Sequence, residues 1–131
     1  MKINLTNPNP ATRFYFDEED KARGWVELCI CSPEEMAKID KLTVKKRTEY
    51  RRGQRYEIED VKDKVRNRML WDALIVNWSG IVDENDKAIK CTTDNKEVLM
   101  LTSVKFATFV GTKMEELSEG VGTQFEELEK N

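Results

Sequence analysis

The 131-residue chain contains no histidine. This removes the side chain that titrates nearest neutral pH and the usual proton acceptor for a nucleophilic serine or cysteine, so a hydrolytic site of that kind is excluded. Cysteine is sparse and odd in number: Cys29, Cys31 and Cys91. Structural zinc asks for four ligands at recognised spacings, and three thiols without histidine do not complete the set. They read instead as small, buried, apolar residues of a reducing compartment. The six glycines are scattered, which leaves no phosphate-cradling loop of the Walker or dinucleotide type. Nowhere do 18 apolar residues run together, and the N-terminus lacks a signal-peptide pattern. The expectation is a cytoplasmic protein with no membrane partner.

One acidic stretch, Asp83 to Ala88, is a distant match to a calcium loop. It fails at the fifth position, where Lys87 replaces an oxygen ligand, at the sixth, where Ala88 replaces glycine, and at the twelfth, which is Asp94. A solvated turn accounts for it better. The sequence therefore points to no catalytic residue, no cofactor and no metal, and to a protein that is not an enzyme.

Charge is what the chain has in quantity. Charged residues make up 36% of it, against about 25% in an average soluble domain, so the surface is dense in charge and the core small. Its distribution is uneven: residues 1 to 40 carry 5 basic and 8 acidic side chains, residues 41 to 68 carry 11 and 5, and residues 69 to 131 carry 6 and 12. The basic middle either pairs with or lies over the acidic parts of the same chain, or it faces an acidic partner. Lys45, Lys46, Arg47, Arg51, Arg52 and Arg55, interleaved with Tyr50 and Tyr56, are the only feature a nucleic-acid reading can use. The net charge of −3 and the absence of a recognised nucleic-acid fold pattern argue against it.

Periodicity gives an α+β domain spanning residues 1 to 131. Residues 1 to 12 read as a flexible arm. Phe14 and Phe16, then Val26, Leu28 and Ile30, alternate with polar neighbours and form an N-terminal β-hairpin, its second strand running from Trp25 to Cys31. Ser32-Pro33-Glu34-Glu35 opens a short helix by a capping box, with Met36, Ile39 and Leu42 as its apolar edge. The stretch from Lys41 to Tyr56 is too polar for core and reads as a loop or an exposed basic ribbon. A central helix is expected over about 58 to 79, because Ile58, Val61, Val65 and Met69 recur at steps of three and four and the apolar face then widens. Gly80 ends it, and a short strand, turn and strand follow at 81 to 90. Asp94 with Glu97 opens another helical turn, and a last helix starts near Thr102 or Ser103 and stops at Gly120 and Gly122. The result is a small helical bundle with Trp71, Leu74, Ile75, Trp78, Phe106, Phe109 and Val110 as core. Residues 120 to 131 are expected to fray.

The block from Trp71 to Ile89 resembles tail assembly chaperones of long-tailed, siphovirus-like bacteriophages and prophages. Those proteins carry a helix ending in Asp or Asn followed by Trp, here Asn77-Trp78, then a glycine and two apolar residues, here Gly80-Ile81-Val82. An acidic turn, a short apolar return and a capping segment like Thr93-Asp94-Asn95 follow. The opening Gly24-Trp25-Val26-Glu27-Leu28 with its Ser-Pro-Glu-Glu helix start is similar too, so the resemblance covers about residues 11 to 118. Lys87-Ala88 departs from the glycine that relatives often carry in the turn. The resemblance implies a non-enzymatic protein, absent from the virion, that keeps the tape-measure protein, with tail-tube subunits as a second client, soluble until the tail polymerises.

On that reading Lys45, Lys46, Arg47, Arg51, Arg52 and Arg55 offer a charged protein-binding surface, and Met114, Leu117, Val121, Phe125 and Leu128 an apolar segment for a client or for self-association. The alternatives are a nucleic-acid-associated phage regulator using residues 45 to 55 and a minor structural tail component.

Overall fold

The computed structural model describes the backbone of residues 1–129 and the side chains of residues 1–120. Helices and strands mix in an α+β chain with two small sheets.

The first two strands are where alternation puts them. Strands β1 (Thr12–Tyr15) and β2 (Trp25–Leu28) pair antiparallel, with Phe14 opposite Val26, and a short 3-10 turn at Lys21–Arg23 joins them. The second strand stops at Leu28, so Cys29 and Cys31 lie beyond it. A third strand, β5 (Ile75–Ser79), adds to the other edge of β2 and sets Trp78 opposite Val26 and Ile75 opposite Leu28. One face of this sheet is therefore apolar. The other carries Arg13, whose guanidinium lies 3.8 Å from the centre of the Trp25 ring and bonds Glu27 at 2.7 Å.

The central helix expected over 58 to 79 is corrected into three elements. Residues Gln54–Val61 are strand β4, Asp63–Leu74 are helix α2, and Ile75–Ser79 are β5. Ile58 and Val61 are thus strand residues, and α2 buries no side chain fully. Two causes can be named. Lys62 takes a non-helical backbone (φ −84°, ψ 79°) and separates strand from helix. Further on, the pairing skips Val76, since Asn77 faces Glu27 while Ile75 faces Leu28. This bulge leaves Val76 exposed and spaces the buried Ile75 and Trp78 three apart, the interval of a helix.

The remaining elements are helix α1 (Pro33–Thr43), strand β3 (Val44–Arg51), helix α3 (Thr93–Thr102) and helix α4 (Val104–Glu129). Ser32 caps α1 by accepting from the Glu35 N–H, with Pro33 at the first helical position. Ile39 and Thr43, four apart, form its buried edge, while Leu42 stays exposed. Between Gly80 and α3 the chain folds back through a single bridge between Val82 and Ala88, where the sequence predicts two short strands. The cap of α3 is Thr92, which accepts from the Asn95 N–H, so Asp94 sits inside the first turn rather than at its cap. Ser103 accepts from the Phe106 N–H and opens α4. That helix passes Gly111, Gly120 and Gly122, where the sequence predicts a stop at the last two; a lone glycine costs a helix only about 1 kcal/mol.

The core lies between the apolar sheet face and α4. Val26, Leu28, Ile75, Trp78, Phe106 and Val110 are buried, and Trp71 and Phe109 pack against them half-buried. Leu74 is also only half-buried. The centre of the fold is therefore a three-stranded sheet and not a helix. Two glycines hold its corner: Gly24 (φ 122°) and Gly80 (φ 80°) press their backbones together, and a Cβ on either meets a backbone oxygen at 2.3 to 2.4 Å.

Candidate interaction surface

Strands β3 and β4 pair over eight positions, from Val44 opposite Val61 to Arg51 opposite Gln54, and turn through Arg52 and Gly53. Both turn residues have positive φ (51° and 78°), which matches the twist of a two-residue hairpin. The loop-or-ribbon reading thus resolves into a regular β-ribbon. Val44, Glu49 and Ile58 are half-buried and the rest of the ribbon is exposed on both faces, Tyr50 at 73%. Eight residues of strand reach about 26 Å, so the ribbon is an arm rather than part of the core.

The arm is fixed at its root. The Lys62 N–H donates to Thr43 O at 2.8 Å and prolongs the ladder by one bond. Arg66 on α2 bonds Asp40 and the Thr43 hydroxyl on α1.

Along the ribbon the basic residues meet acids of the same ribbon. Arg47 bonds Glu49 and Asp60, Lys46 lies 3.9 Å from Glu59, Arg51 bonds Glu49 at 2.9 Å, and Arg55 lies 3.6 Å from Glu57. The ribbon thus pairs within itself, while the rest of the basic middle reaches the flanks, Arg66 to Asp40 and Arg68 to Asp94 and Glu97. Lys45 and Arg52 have no ion-pair partner among the described residues. Such exposed pairs each contribute less than about 1 kcal/mol and exchange readily for a partner's charges.

The apolar half of the expected site is placed differently. Met114 and Leu117 are half-buried against the core, so they belong to the fold and not to a spare surface. Val121, Phe125 and Leu128, and with them the fraying expected over 120 to 131, lie outside the described side chains. Met114 and Leu117 pack on the core cluster, to which no residue of the arm belongs.

Exposed apolar side chains occur instead beside the 81–90 turn. A shallow groove of about 400 Å³ is floored by Ile89 and Leu99 and edged by Asp83, Lys90, Asn95 and Val98. Val82, Val98 and Leu101 are 50 to 60% exposed. This surface was not anticipated: the sequence points to a helical turn opened by Asp94, whereas Thr92 caps the helix two residues earlier.

One buried cluster carries titratable groups, and its partners explain it. Lys96 is only 7% exposed. Its ammonium donates to Asp72 O and Asp72 Oδ1, both at 3.1 Å. The Cys29 thiol donates to Ala73 O at 3.2 Å and the Cys29 N–H to Leu74 O at 2.9 Å. With the Ile75 N–H on Trp71 O, all four terminal carbonyls of α2 are satisfied, as a buried helix end requires. Burial, followed by Glu35, pushes the Cys29 thiol above its ordinary value, which keeps it protonated and a poor nucleophile. Cys31 and Cys91 are raised by burial as well. The cluster is a helix cap. Among the described residues no three His, Cys, Asp or Glu side chains are grouped to hold a metal, and no helix is long and apolar enough to cross a membrane.

Asp72 gives a pH prediction. Burial pushes its carboxyl up, but hydrogen bonds from Thr93 and Lys96 and the charges of Lys96 and Arg68 outweigh this and hold it below the ordinary carboxylate value. A carboxylate lowered by folding stabilises the fold above its unfolded pKa and loses that effect as pH falls through the folded one. Asp72→Asn should therefore be less stable than the parent at pH 7, by no more than about 1 kcal/mol for a half-exposed pair. In urea melts the difference should shrink below about pH 4. A gap that persists unchanged at pH 2 would show that the carboxylate charge contributes nothing.

Comparison with family models, curated proteins and solved structures found no match.

Proposed function

We propose that the chain is a non-enzymatic tail assembly chaperone that holds a tape-measure protein soluble until the tail polymerises. The reading starts from the block Asn77-Trp78 to Ile89. In the fold this block forms the end of β5 and the turn that edges the groove.

The observation that supports it most is the pairing of two kinds of exposed surface. Val98 lines the groove with Asp83, Lys90 and Asn95, and Val82 and Leu101 are exposed on the turn and on α3. A client that shows an apolar helical stripe before assembly finds there a strip of matching chemistry. The arm supplies exposed charge that keeps the complex in solution.

The test is capture of purified tape-measure protein by the full chain, by Val98→Glu/Leu101→Glu, and by Lys45→Glu/Lys46→Glu/Arg51→Glu/Arg52→Glu. A chain ending at Gly120 separates the Val121 to Leu128 segment from the core residues Met114 and Leu117. The groove variant should lose at least tenfold in affinity, while its thermal stability changes little because both sites are exposed. Equal capture by all four proteins would remove the chaperone reading from these surfaces.

A further inference from the structure

The β3–β4 arm is exposed along most of its length. An isolated two-stranded ribbon is at best marginally stable in water, yet this one is solvated on both faces.

Charge narrows the choice of partner. From Tyr50 to Tyr56 the tip carries Arg51, Arg52 and Arg55 and no acid. Arg51 and Arg55 reach back to Glu49 and Glu57 with their side chains 71% and 64% exposed. A polyanion such as nucleic acid is a poor occupant, because those glutamates lie beside the same arginines. A surface of discrete carboxylates fits better, and the chain has one. The β1–β2 turn exposes Glu18 and Glu19, and α4 exposes Glu115 and Glu116. Phe16, next to that turn, stacks on Phe109 of α4 with ring centres 5.1 Å apart, so turn and helix share one side of the molecule. Among the described residues the tip makes no ion pair with any of these four glutamates. Within one copy Glu116 takes Lys113 at 3.3 Å, while Glu18, Glu19 and Glu115 have no ion-pair partner among the described residues.

We propose that a second copy of this chain receives the arm. Its arginine tip lies against the acidic side formed by the β1–β2 turn and α4 of the other copy, and the exchange is reciprocal about a two-fold axis. The proposal does not rest on the chaperone reading, since failure of client capture leaves it untouched and its own failure leaves client capture untouched.

The experiment is sedimentation velocity on the full chain at rising concentration and at two salt levels. Two variants accompany it: Arg51→Glu/Arg52→Glu/Arg55→Glu, and Glu18→Lys/Glu19→Lys/Glu115→Lys/Glu116→Lys. The parent should sediment at twice its 15.3 kDa and dissociate at least tenfold more readily at about 0.5 M than at about 0.05 M salt. Each variant alone should be monomeric with an unchanged circular dichroism spectrum. Mixed one to one they should dimerise again, because each arm then meets a surface of opposite charge. A parent that stays monomeric throughout would overturn the proposal, as would dimers that survive in either variant or a mixture that fails to reassociate. A monomeric parent that retards single-stranded DNA at moderate salt would also overturn it and give the arm to nucleic acid.

Discussion

Trp78→Ala is expected to lose about 3–5 kcal/mol of unfolding free energy, the range for deleting a large buried aromatic side chain. Trp78 is 6% exposed at the end of β5. Its indole meets Phe106 edge to face with ring centres 5.5 Å apart, and its Nε1–H donates to Ile89 O at 2.7 Å. The side chain thus joins three parts of the molecule: the sheet, α4, and the return strand of the 81–90 turn. Alanine opens a cavity and also leaves the Ile89 carbonyl without its donor. Trp78→Phe should retain most of the packing and lose about 1 kcal/mol for the hydrogen bond. Urea melts read both. A loss below about 1 kcal/mol for alanine would put the indole outside the core.

Gly80→Ala is expected to cost about 3 kcal/mol or more, although it adds a single methyl group. Alanine at φ 80° is strained by about 1–2 kcal/mol, and its Cβ stands 2.4 Å from Arg23 O and 2.7 Å from the Gly24 Cα. These are backbone atoms, so relief requires the corner of the sheet to open, an overpacking cost of about 1–3 kcal/mol. Gly24→Ala meets Ser79 O at 2.3 Å and should behave alike. Because both methyl groups force apart the same contact, the double variant should lose clearly less than the sum of the two. Gly53→Ala is the control: it has a positive φ but nothing within 4 Å of its Cβ. It should show the conformational cost alone. Thermal melts in which Gly80→Ala and Gly53→Ala fall equally would refute the close approach.

These glycines show what a sequence reveals and what it hides. Gly80 is visible as a punctuation mark, and it does end a regular element. That it ends a strand, and that Gly24 lies against it from 56 residues away, is a long-range fact with no local signature. Ser32 reads correctly because its bond to Glu35 N spans three residues and Pro33 marks the helix start beside it, whereas Thr92 makes the same kind of bond to Asn95 N and was passed over for Asp94. The hairpin of β1 and β2 was legible because strict alternation survives in it.

The central helix failed because two accidents imitate helical period. Ile58 and Val61 lie on β4, and their spacing to Val65 and Met69 crosses the junction at Lys62. Ile75 and Trp78 are three apart because of the bulge at Val76. Of the candidate site, the basic residues lie together on one element, and the sequence left open which acids of the chain pair with them. Those partners were the alternate residues of the same ribbon, a pattern that becomes visible only once the register is known. Met114 and Leu117 were taken as spare for want of a visible partner, and the partner is a sheet assembled from strands 50 residues apart.

From Pro33 to Ser79 the chain passes through α1, β3, β4, α2 and β5 with only Arg52, Gly53 and Lys62 outside a regular element. Helix becomes strand at Thr43–Val44 and again at Leu74–Ile75 with no residue between. A hinge needs a few residues free to absorb a change in φ and ψ, and this path holds one at the arm's root, itself tied by its N–H to Thr43. Between the arm and the edge strand that carries Trp78 the chain therefore runs through α2 with a single residue of slack, Lys62, and the Asp40–Arg66 pair closes α1 against α2 at the same point.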